Sequence, residues 1–316
     1  MRTGLIVPTR NPGALWLRWL LAVQAQALAG GSALTGVVVD SASTDGTNFA
    51  ALPKGWQLLP IVAADFNHGR SRNLGLQHMP AGTDVVVFMT QDAILAGPGA
   101  VQALLSAFDD PSVACAYGRQ LPHSDASPLA AYARLFNYPV TSRVVSLEDK
   151  ACLGLKACFL SNSFAAYRVA DLQAIGGFAT DVILGEDMSA AARLLLAGKR
   201  SAYVAEACVY HSHNYSLAQE FRRYFDTGVF HARSHWLLEE FGSANGEGLR
   251  FVSSELHYLS KYAPYSIPYA ILHTLAKWVG YKLGRLEAYL PMKIKVICSM
   301  HKGYWQKNPN KEQGVV

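Results

Sequence analysis

The chain has 316 residues, of which 51% are hydrophobic and 16% are charged, and its formal net charge is +5. This length and apolar content suffice for a sizeable buried core, which excludes a disordered chain and a small domain that depends on disulfides. The five cysteines show neither CxxC nor Cys/His spacing, so a disulfide framework and a zinc-finger site are also excluded and a reducing cytoplasm is expected.

The N-terminal part of the chain alternates between strand and helix patterns. In chain order, the patterns predict a strand in GLIVPT, a helix over residues 15–28, a strand in LTGVVVD, a strand over 58–62, a helix over 71–79 and a strand over 84–89. Such alternation is typical of an α/β fold with a Rossmann-like, mostly parallel sheet flanked by helices. Sheets of this kind bind ligands at the carboxyl ends of their strands, where polar clusters follow Val39 and Met89.

The second part of the chain is less regular. The patterns predict a helix over residues 98–108 and a strand over 113–117, and then lose clear periodicity over 118–156, which we interpret as a loop region above the site. A strand and a helix follow in CFLSNSFAAYRVADLQAIGGF, then a helix over 188–197, a strand over 201–210 and mainly helices from residue 217. We therefore predict a sheet-bearing domain over residues 1–215 and a helical appendage over 216–316.

The C-terminal residues 277–316 hold eight basic and two acidic side chains, a balance of +6, so the rest of the chain is close to neutral. Their aromatic and aliphatic residues allow two hypotheses: contact with an anionic membrane surface, or a packed helical appendage with a solvated basic face. Nucleic acid is not an expected partner, because the rest of the chain supplies no basic groove.

The N-terminal apolar run over residues 5–8 is too short for the core of a signal peptide, and no later segment reaches the about 18 uninterrupted apolar residues of a spanning helix. We therefore expect a cytoplasmic protein, with peripheral attachment to the inner face of the bacterial cytoplasmic membrane as the open alternative.

Two adjacent acids, Glu186 and Asp187, follow Gly185 at the start of a predicted helix. A carboxylate in this position could take a proton from a hydroxyl group, and Asp187 is our candidate for that general base. The alternative is that both acids only stabilise the N-terminus of the helix through its dipole.

Further polar side chains follow the predicted strands. Asp40 and Asp92 each end a strand, and Asp92 is a candidate ligand for Mg²⁺, which often takes only one or two protein carboxylates. His211 and His213 lie two residues apart on an extended segment, so they point to the same side and could complete a cation site. The alternatives are a turn aspartate at position 40, an aspartate without metal at position 92 and structural histidines.

Arg70 and Arg72 lie at the start of another predicted helix. Free backbone N–H groups and guanidinium groups both suit a diphosphate there. For Arg70, a surface ion pair is an equal alternative.

Seven motifs in a fixed order carry a resemblance to a known family. They are VPTRN, VVVDSASTDGT, FNHGRSRNLG, FMTQDA, the GGF before GEDM, VYHSHNYSL and SMHKGYW, and they span residues 5–305. In this order they resemble the inverting family-two glycosyltransferases of GT-A fold, and within them the bacterial rhamnosyltransferases of surface-polysaccharide (O-antigen or capsule) assembly. Thr90 departs from the family's Asp-x-Asp element and leaves Asp92 as its only carboxylate.

The resemblance implies that residues 1–215 form the nucleotide-sugar-binding and catalytic domain and that residues 216–316 serve the acceptor or a membrane, and it implies a role for each matching residue. Asp187 would be the catalytic base, and Glu186 would orient the acceptor or the helix. Asp92, His211 and His213 would hold Mg²⁺ or Mn²⁺. The residues that would contact the nucleotide are Pro8, Thr9, Arg10, Asp40, Arg70, Arg72, Asn73, Gln91 and Asp92.

The implied reaction is the metal-assisted transfer of L-rhamnose from dTDP-L-rhamnose to a hydroxyl of a glycan acceptor, which would be lipid-linked, with inversion at the anomeric carbon. The open alternatives are a UDP-hexose or UDP-N-acetylhexosamine donor and a catalytically silent, membrane-attached binding protein. A nucleotidyltransferase is disfavoured, because VPTRNPG lacks the glycine-rich, lysine-bearing phosphate loop which that class would need.

Overall fold

The computed structural model describes residues 1–28, 34–242 and 246–306. The strands are β1 (Thr3–Thr9), β2 (Thr35–Asp40), β3 (Gln57–Pro60), β4 (Val85–Met89), β5 (Ile94–Leu95), β6 (Val113–Leu121), β7 (Arg143–Val145), β8 (Phe164–Arg168) and β9 (Arg200–Tyr210). The α-helices are α1 (Leu15–Gln24), α2 (His68–Gln77), α3 (Ala100–Leu105), α4 (Pro128–Asn137), α5 (Lys150–Leu153), α6 (Val169–Ala174), α7 (Glu186–Leu196), α8 (Leu217–Arg233), α9 (His235–Phe241), α10 (Glu247–Tyr262), α11 (Ile267–Arg285), α12 (Met292–Cys298) and α13 (Lys302–Gln306).

The described strands form one nine-stranded sheet in the order β3-β2-β1-β4-β8-β6-β9-β5, with β7 paired to β9. The strands β3, β2, β1 and β4 are parallel, and so are β6 and β9. β8 runs antiparallel to both of its neighbours, β4 and β6. The expected α/β fold with a flanked sheet and a helical C-terminal region is confirmed, with the parallel block confined to the N-terminal half and a mixed arrangement beyond it.

The apolar run of β4 explains its central position. All five of its residues are fully buried. Val85, Val87 and Met89 pack with residues of α1 and α3 on one face, whereas Val86 and Phe88 pack with residues of α2 and α7 on the other. A strand covered on both faces reads as a continuous apolar run, and parallel neighbours then bring their carboxyl ends to one edge of the sheet.

The region over residues 118–156 differs from the loop that we predicted. It contains the end of β6, the ten-residue helix α4 and the strand β7. The Ser127 hydroxyl caps α4 by accepting the N–H of Ala130, and Pro128 occupies the first turn. Tyr132 of α4 packs against aromatic rings of α10, so the helix is completed by a partner that is distant in sequence.

Two of the C-terminal helices, α8 and α11, pack closely against each other through glycine contacts. A side chain at Gly284 would place its Cβ 2.1 Å from the carbonyl oxygen of Phe225, and one at Gly280 would lie 2.3 Å from that of Phe221. α8 and α11 therefore touch backbone to backbone. Trp305 of α13 is 4% exposed and lies in one apolar cluster with Phe225 of α8 and Leu195 of α7, so α13 is packed against the rest of the chain. Among the described residues, no helix has both the length and the apolar character needed to cross a bilayer.

Candidate active site

The carboxyl ends of β1, β2 and β4 lie at one edge of the sheet, and hydrogen bonds of Gln91, which follows β4, connect the ends of β4 and β1. Its side-chain oxygen accepts hydrogen bonds from the Thr9 hydroxyl (2.6 Å) and the Arg10 N–H (2.7 Å), and its amide nitrogen donates to the Arg10 carbonyl (3.0 Å). Pro8 lies opposite Val39 in the β1–β2 register. The structure thus brings the predicted residues 8–10 and 91 together at the place where a nucleotide is expected.

Asp40 ends β2 at the same edge and is 7% exposed. Its carboxylate accepts the Ser43 N–H at 3.0 Å and the Ser43 hydroxyl at 2.5 Å. These contacts are typical of a turn aspartate, which is one of the two roles that the sequence left open for Asp40. An ionised carboxylate can accept about four hydrogen bonds, so the turn does not exhaust its capacity.

Asp92, His211 and His213 form a cluster beyond the end of β4. The Nε2 atom of His211 lies 3.5 Å from one Asp92 carboxylate oxygen, the Nε2 atom of His213 lies 3.7 Å from the other, and the two Nε2 atoms are 3.1 Å apart. Burial alone would raise the pKa of Asp92, but the facing imidazoles lower it well below its usual range. Burial lowers the pKa of His213 to about 4. The carboxylate is therefore ionised and His213 is neutral at pH 7, as metal ligands must be.

The spacing of these three side chains suits a divalent cation. Metal–ligand bonds of about 2.1 Å at right or tetrahedral angles place ligand atoms about 3.0–3.4 Å apart. The two Nε2 atoms have this separation, and one ligand atom from each of the three residues lies within 4.8 Å of the other two, so small side-chain shifts would let them converge on one ion.

Gln120, on β6, orients the cluster. Its side-chain oxygen lies 2.9 Å from Nδ1 of His211 and also accepts a hydrogen bond from Arg134, while its amide nitrogen donates to the Ser161 hydroxyl at 3.0 Å. An Nδ1–H donated to this oxygen leaves the Nε2 lone pair of His211 facing Asp92, which is how a second ligand sphere usually fixes a metal-binding histidine. The sequence analysis missed Gln120, because a single glutamine in a strand carries no local signal.

Asp187 lies in the first turn of α7 and is held by two backbone donors. The N–H of Asn162 donates to one carboxylate oxygen (3.2 Å) and the N–H of Met188 to the other (2.8 Å). Burial, followed by the neighbouring charge of Glu186, raises the pKa of Asp187 to about 7. Gly185 precedes the helix with φ +78°, and a Cβ there would lie 2.6 Å from the Phe230 ring. The turn that delivers Asp187 therefore requires glycine.

Glu186 points away from solvent and forms an ion pair with Arg72. Their closest atoms are 2.7 Å apart, and their side chains are 6% and 4% exposed. Burial alone would raise the pKa of Glu186, but the Arg72 guanidinium lowers it below its usual value. The pair joins α2 to α7, directly beside Asp187 in the first turn of α7.

Two of the predicted nucleotide contacts have other partners. Besides Glu186, the Arg72 guanidinium binds only the carbonyl of His68 among the described residues, and its Nε atom is buried without a hydrogen-bond partner. The side chain of Asn73 is paired at both ends with the backbone of Phe178 (2.9 Å each). These contacts connect α2 to neighbouring parts of the chain, and the roles of Arg72 and Asn73 at a diphosphate stay predictions. The side chain of Arg70 is exposed, and its role stays a prediction.

A cavity of about 390 Å³ opens beside Asp187. It is bounded by the chain around β4 and β8, by the turn before α7, by α8 and by the segment before α13. Its lining residues are His68, Arg72, Thr90, Ser161, Asn162, Ser163, Leu184, Gly185, Glu186, Asp187, Met188, Thr227, Phe230, His231 and His301. The sequence analysis gave no role to Ser161, Asn162, His231 or His301, although the SNS and SMHKGYW stretches were visible in it.

The cation cluster and the base belong to one connected site. Asn162 donates to Asp187, the adjacent Ser161 accepts from Gln120, and Gln120 contacts His211. Thr90, two residues before Asp92, lines the cavity that Asp187 also lines. Chemically, the arrangement offers a cation-binding cluster and a nearby carboxylate that can take a proton near neutral pH.

Comparisons with known proteins identify the family of this chain. The family model described as glycosyltransferase like family 2 matches residues 2–225. The O-antigen chain rhamnosyltransferase WbaN of Salmonella anatum is 49% identical over 302 residues, which is 95% of each chain. The O-antigen chain rhamnosyltransferase RfbN of Salmonella typhimurium is 48% identical over 306 residues, 96% of each chain.

Solved structures show the same fold at low sequence identity. The mannosyltransferase PcManGT from Pyrobaculum calidifontis, in complex with GDP-Man and Mn²⁺, is 20% identical with a TM-score of 0.58, over 97% of this chain and 86% of that one. Residues 1–349 of S. aureus TarS in complex with UDP are 16% identical with a TM-score of 0.52, over 92% and 91% of the two chains. With its fold, its site and these relatives taken together, the chain belongs to glycosyltransferase family 2.

Proposed function

We propose that this protein transfers L-rhamnose from dTDP-L-rhamnose to a hydroxyl group of a lipid-linked glycan, with inversion at the anomeric carbon. The observation that carries the catalytic part is the partly buried, backbone-held Asp187, whose pKa is raised to about 7 beside a cavity. The donor rests on the two relatives at 48% and 49% identity, both of which are named O-antigen chain rhamnosyltransferases.

In the proposed reaction, Asp187 takes the proton of the acceptor hydroxyl as that oxygen attacks the anomeric carbon. The bond between that carbon and the diphosphate oxygen breaks, and dTDP leaves with the electron pair. The Arg72–Glu186 ion pair keeps α2 and α7 in register, so the carboxylate stays aimed at the cavity. Attack from the face opposite the leaving group inverts the anomeric configuration.

Asp92, His211 and His213 would hold the divalent cation, whose bound charge would neutralise the leaving diphosphate. Two imidazoles and one carboxylate suit Mn²⁺ better than Mg²⁺, because Mg²⁺ strongly prefers oxygen ligands. A fold relative was solved with Mn²⁺. We therefore propose Mn²⁺ as the preferred ion.

The nucleotide would bind at the ends of β1, β2 and β4, along residues 8–10 and beside Gln91. Asp40 would accept the N3–H of thymine with a lone pair that its turn does not use. Arg70, exposed at the start of α2, would approach the diphosphate.

We further propose that the protein acts at the cytoplasmic face of a bacterial membrane, with the outer face of α11 against anionic lipid. Ile271, Leu275 and Trp278 on this face are 54%, 54% and 59% exposed. They line a groove against α10 and lie on a helix that ends with Lys282 and Arg285. An apolar face beside basic residues suits the surface of an anionic bilayer.

Vesicle flotation tests the lipid contact. Trp278→Ser should weaken binding to phosphatidylglycerol vesicles by about tenfold, since burial of a large aromatic side chain is worth at least about 1.5 kcal/mol. The matched control is Leu17→Ser, which removes a side chain of 60% exposure on α1. Equal binding by both variants would contradict the membrane proposal.

The transfer reaction is tested by incubating the purified protein with Mn²⁺, a panel of octyl glycosides and one nucleotide sugar at a time. We expect a rhamnosylated glycoside with dTDP-L-rhamnose, and no comparable product with UDP-glucose, UDP-galactose or UDP-N-acetylglucosamine. Product only from a UDP-sugar would overturn the donor. No product from any donor would favour the silent binding protein.

A further inference from the structure

The last described segment of the chain returns to the cavity beside Asp187. α12 and α13 are joined by a short turn, and the buried carboxylate of Asp226, on α8, accepts the backbone N–H groups of Met300 (2.9 Å) and His301 (3.0 Å) in this turn. Trp305 then anchors α13 in the core at 4% exposure. The segment is therefore fixed from both sides at the point where His301 lines the cavity.

The His301 ring meets the His68 ring edge to face, with 5.0 Å between ring centres and 89° between planes. Among the described residues, no protein group forms a hydrogen bond with the ring nitrogens of either histidine. Burial, followed by the neighbouring His68, lowers the pKa of His301 to about 4, so the ring is neutral at pH 7. A neutral imidazole offers one donor and one acceptor, which matches a sugar hydroxyl.

His231 adds a third imidazole to the same cavity. Its Nδ1 atom lies 3.1 Å from the Tyr281 hydroxyl, which fixes the ring and leaves Nε2 for another partner. Burial, followed by the charge of Arg285, lowers its pKa to about 4. The cavity therefore combines a carboxylate base with three neutral, hydrogen-bonding rings.

The lining of the cavity indicates which sugar of the reaction it would hold, the donor or the acceptor. The lining includes Asp187 and, from the ends of the parallel strands, Thr90; within the described part of the chain, the cation cluster and the residues Thr9, Asp40 and Gln91 do not line it. The nucleotide and its diphosphate belong to that other side. The sugar whose hydroxyl must reach Asp187 is the acceptor.

We propose that His301, supplied by the C-terminal segment and backed by His68, hydrogen-bonds a hydroxyl of the acceptor sugar and so helps to select the acceptor. The inference rests on the proposed glycosyl transfer. It gives the segment over residues 292–306 a role in substrate recognition, in addition to its packing.

The experiment compares His301→Ala and His301→Gln with the wild type, using dTDP-L-rhamnose and the octyl glycoside that serves as the best acceptor. Because Asp226 holds the backbone of residue 301 and not its ring, both variants should keep the wild-type melting temperature. His235→Ala is the matched control, since that side chain is 70% exposed on α9.

We expect His301→Ala to raise the KM for the glycoside by about tenfold, the value of one hydrogen bond, and to leave the KM for dTDP-L-rhamnose within about twofold. The Gln variant should recover part of the loss, because its amide can replace the hydrogen bond. The control should match the wild type in both constants.

A glycoside KM equal to that of the control, or a rise confined to the donor KM, would overturn the inference. Either result with an active wild type leaves the proposed function intact. A wild type that transfers no sugar to any glycoside would instead overturn the proposed function itself.

Discussion

Replacement of Asp187 by asparagine removes the proton acceptor while keeping the shape of the site. The asparagine side chain has nearly the same size, and its oxygen can still accept from the N–H of Asn162 or Met188. A positioned general base contributes about 10²–10⁴ to a rate, so we expect kcat to fall by about a thousandfold. The affinity for dTDP should stay within about twofold, because Thr9, Asp40, Gln91 and Asp92 are not among the described residues that line the cavity beside Asp187.

The same carboxyl group predicts the pH dependence of the wild type. Burial, and then the charge of Glu186, raises the pKa of Asp187 to about 7, and only the ionised form can take a proton. Activity should therefore rise about tenfold per pH unit below pH 7 and level off above it. The residual activity of Asp187→Asn should lack this rise.

The assay is coupled detection of released dTDP between pH 5.5 and 8.5, together with calorimetric titration of dTDP. Asp181→Asn, an exposed aspartate shortly before α7, is the matched control and should behave as the wild type. The reasoning would be refuted if Asp187→Asn kept more than about a tenth of the wild-type kcat, or if it lost dTDP affinity in proportion to its activity.

Three further outcomes follow from named contacts. His213→Ala should raise the Mn²⁺ concentration needed for half-maximal activity by at least about tenfold. After treatment of the wild type with EDTA, Mn²⁺ should restore more activity than Mg²⁺. Equal activity with the two ions would contradict a site that contains two imidazoles. Arg72→Met leaves the buried Glu186 carboxylate without its ion-pair partner and should lower the free energy of unfolding in urea by about 3–5 kcal/mol. The control Arg250→Met breaks an exposed pair and should change this free energy by less than about 1 kcal/mol. Equal changes for the two variants would show that the buried pair does not stabilise the fold. Gly284→Ala places a Cβ 2.1 Å from a backbone carbonyl on α8 and should lower the free energy of unfolding by about 1–3 kcal/mol. The control Gly248→Ala, whose Cβ would meet no neighbouring group within 4 Å, should not lower it. An unchanged free energy of unfolding for Gly284→Ala would argue against close packing of α8 and α11.

The parallel half of the sheet could be predicted from sequence because its signals are local. The run in β4 reads as a strand buried on both faces, and it is one. The polar residues after such strands then gather at one edge, as Thr9, Asp40 and Gln91 do. The helix α4 was not predicted, although the Ser127 cap and Pro128 in its first turn are start signals that the sequence contains. Its packing partner α10 lies more than a hundred residues later, so the sequence carried no sign of what its apolar face would contact.

The candidate site also has parts that could be predicted from the sequence and parts that could not. The clustering of Asp92, His211 and His213 followed from a strand end and an alternating pair on an extended segment. The pairing of Arg72 with Glu186 could not be predicted, because a motif shows which residue types occur at a site but not which of them face the interior of the protein. His301 reaches the cavity only through the fold of the last helices, so its sequence motif alone carried no role.

The central claim is that a cation cluster at Asp92 and a base at Asp187 act on one sugar bound between them. A crystal structure with dTDP and Mn²⁺ tests it most directly. We predict Mn²⁺ about 2.0–2.3 Å from Asp92, His211 and His213, in contact with the dTDP diphosphate, with the Asp187 carboxylate facing that diphosphate across a gap wide enough for one hexose. An ion bound away from this cluster, or a nucleotide that leaves Asp187 on a separate surface, would contradict the account.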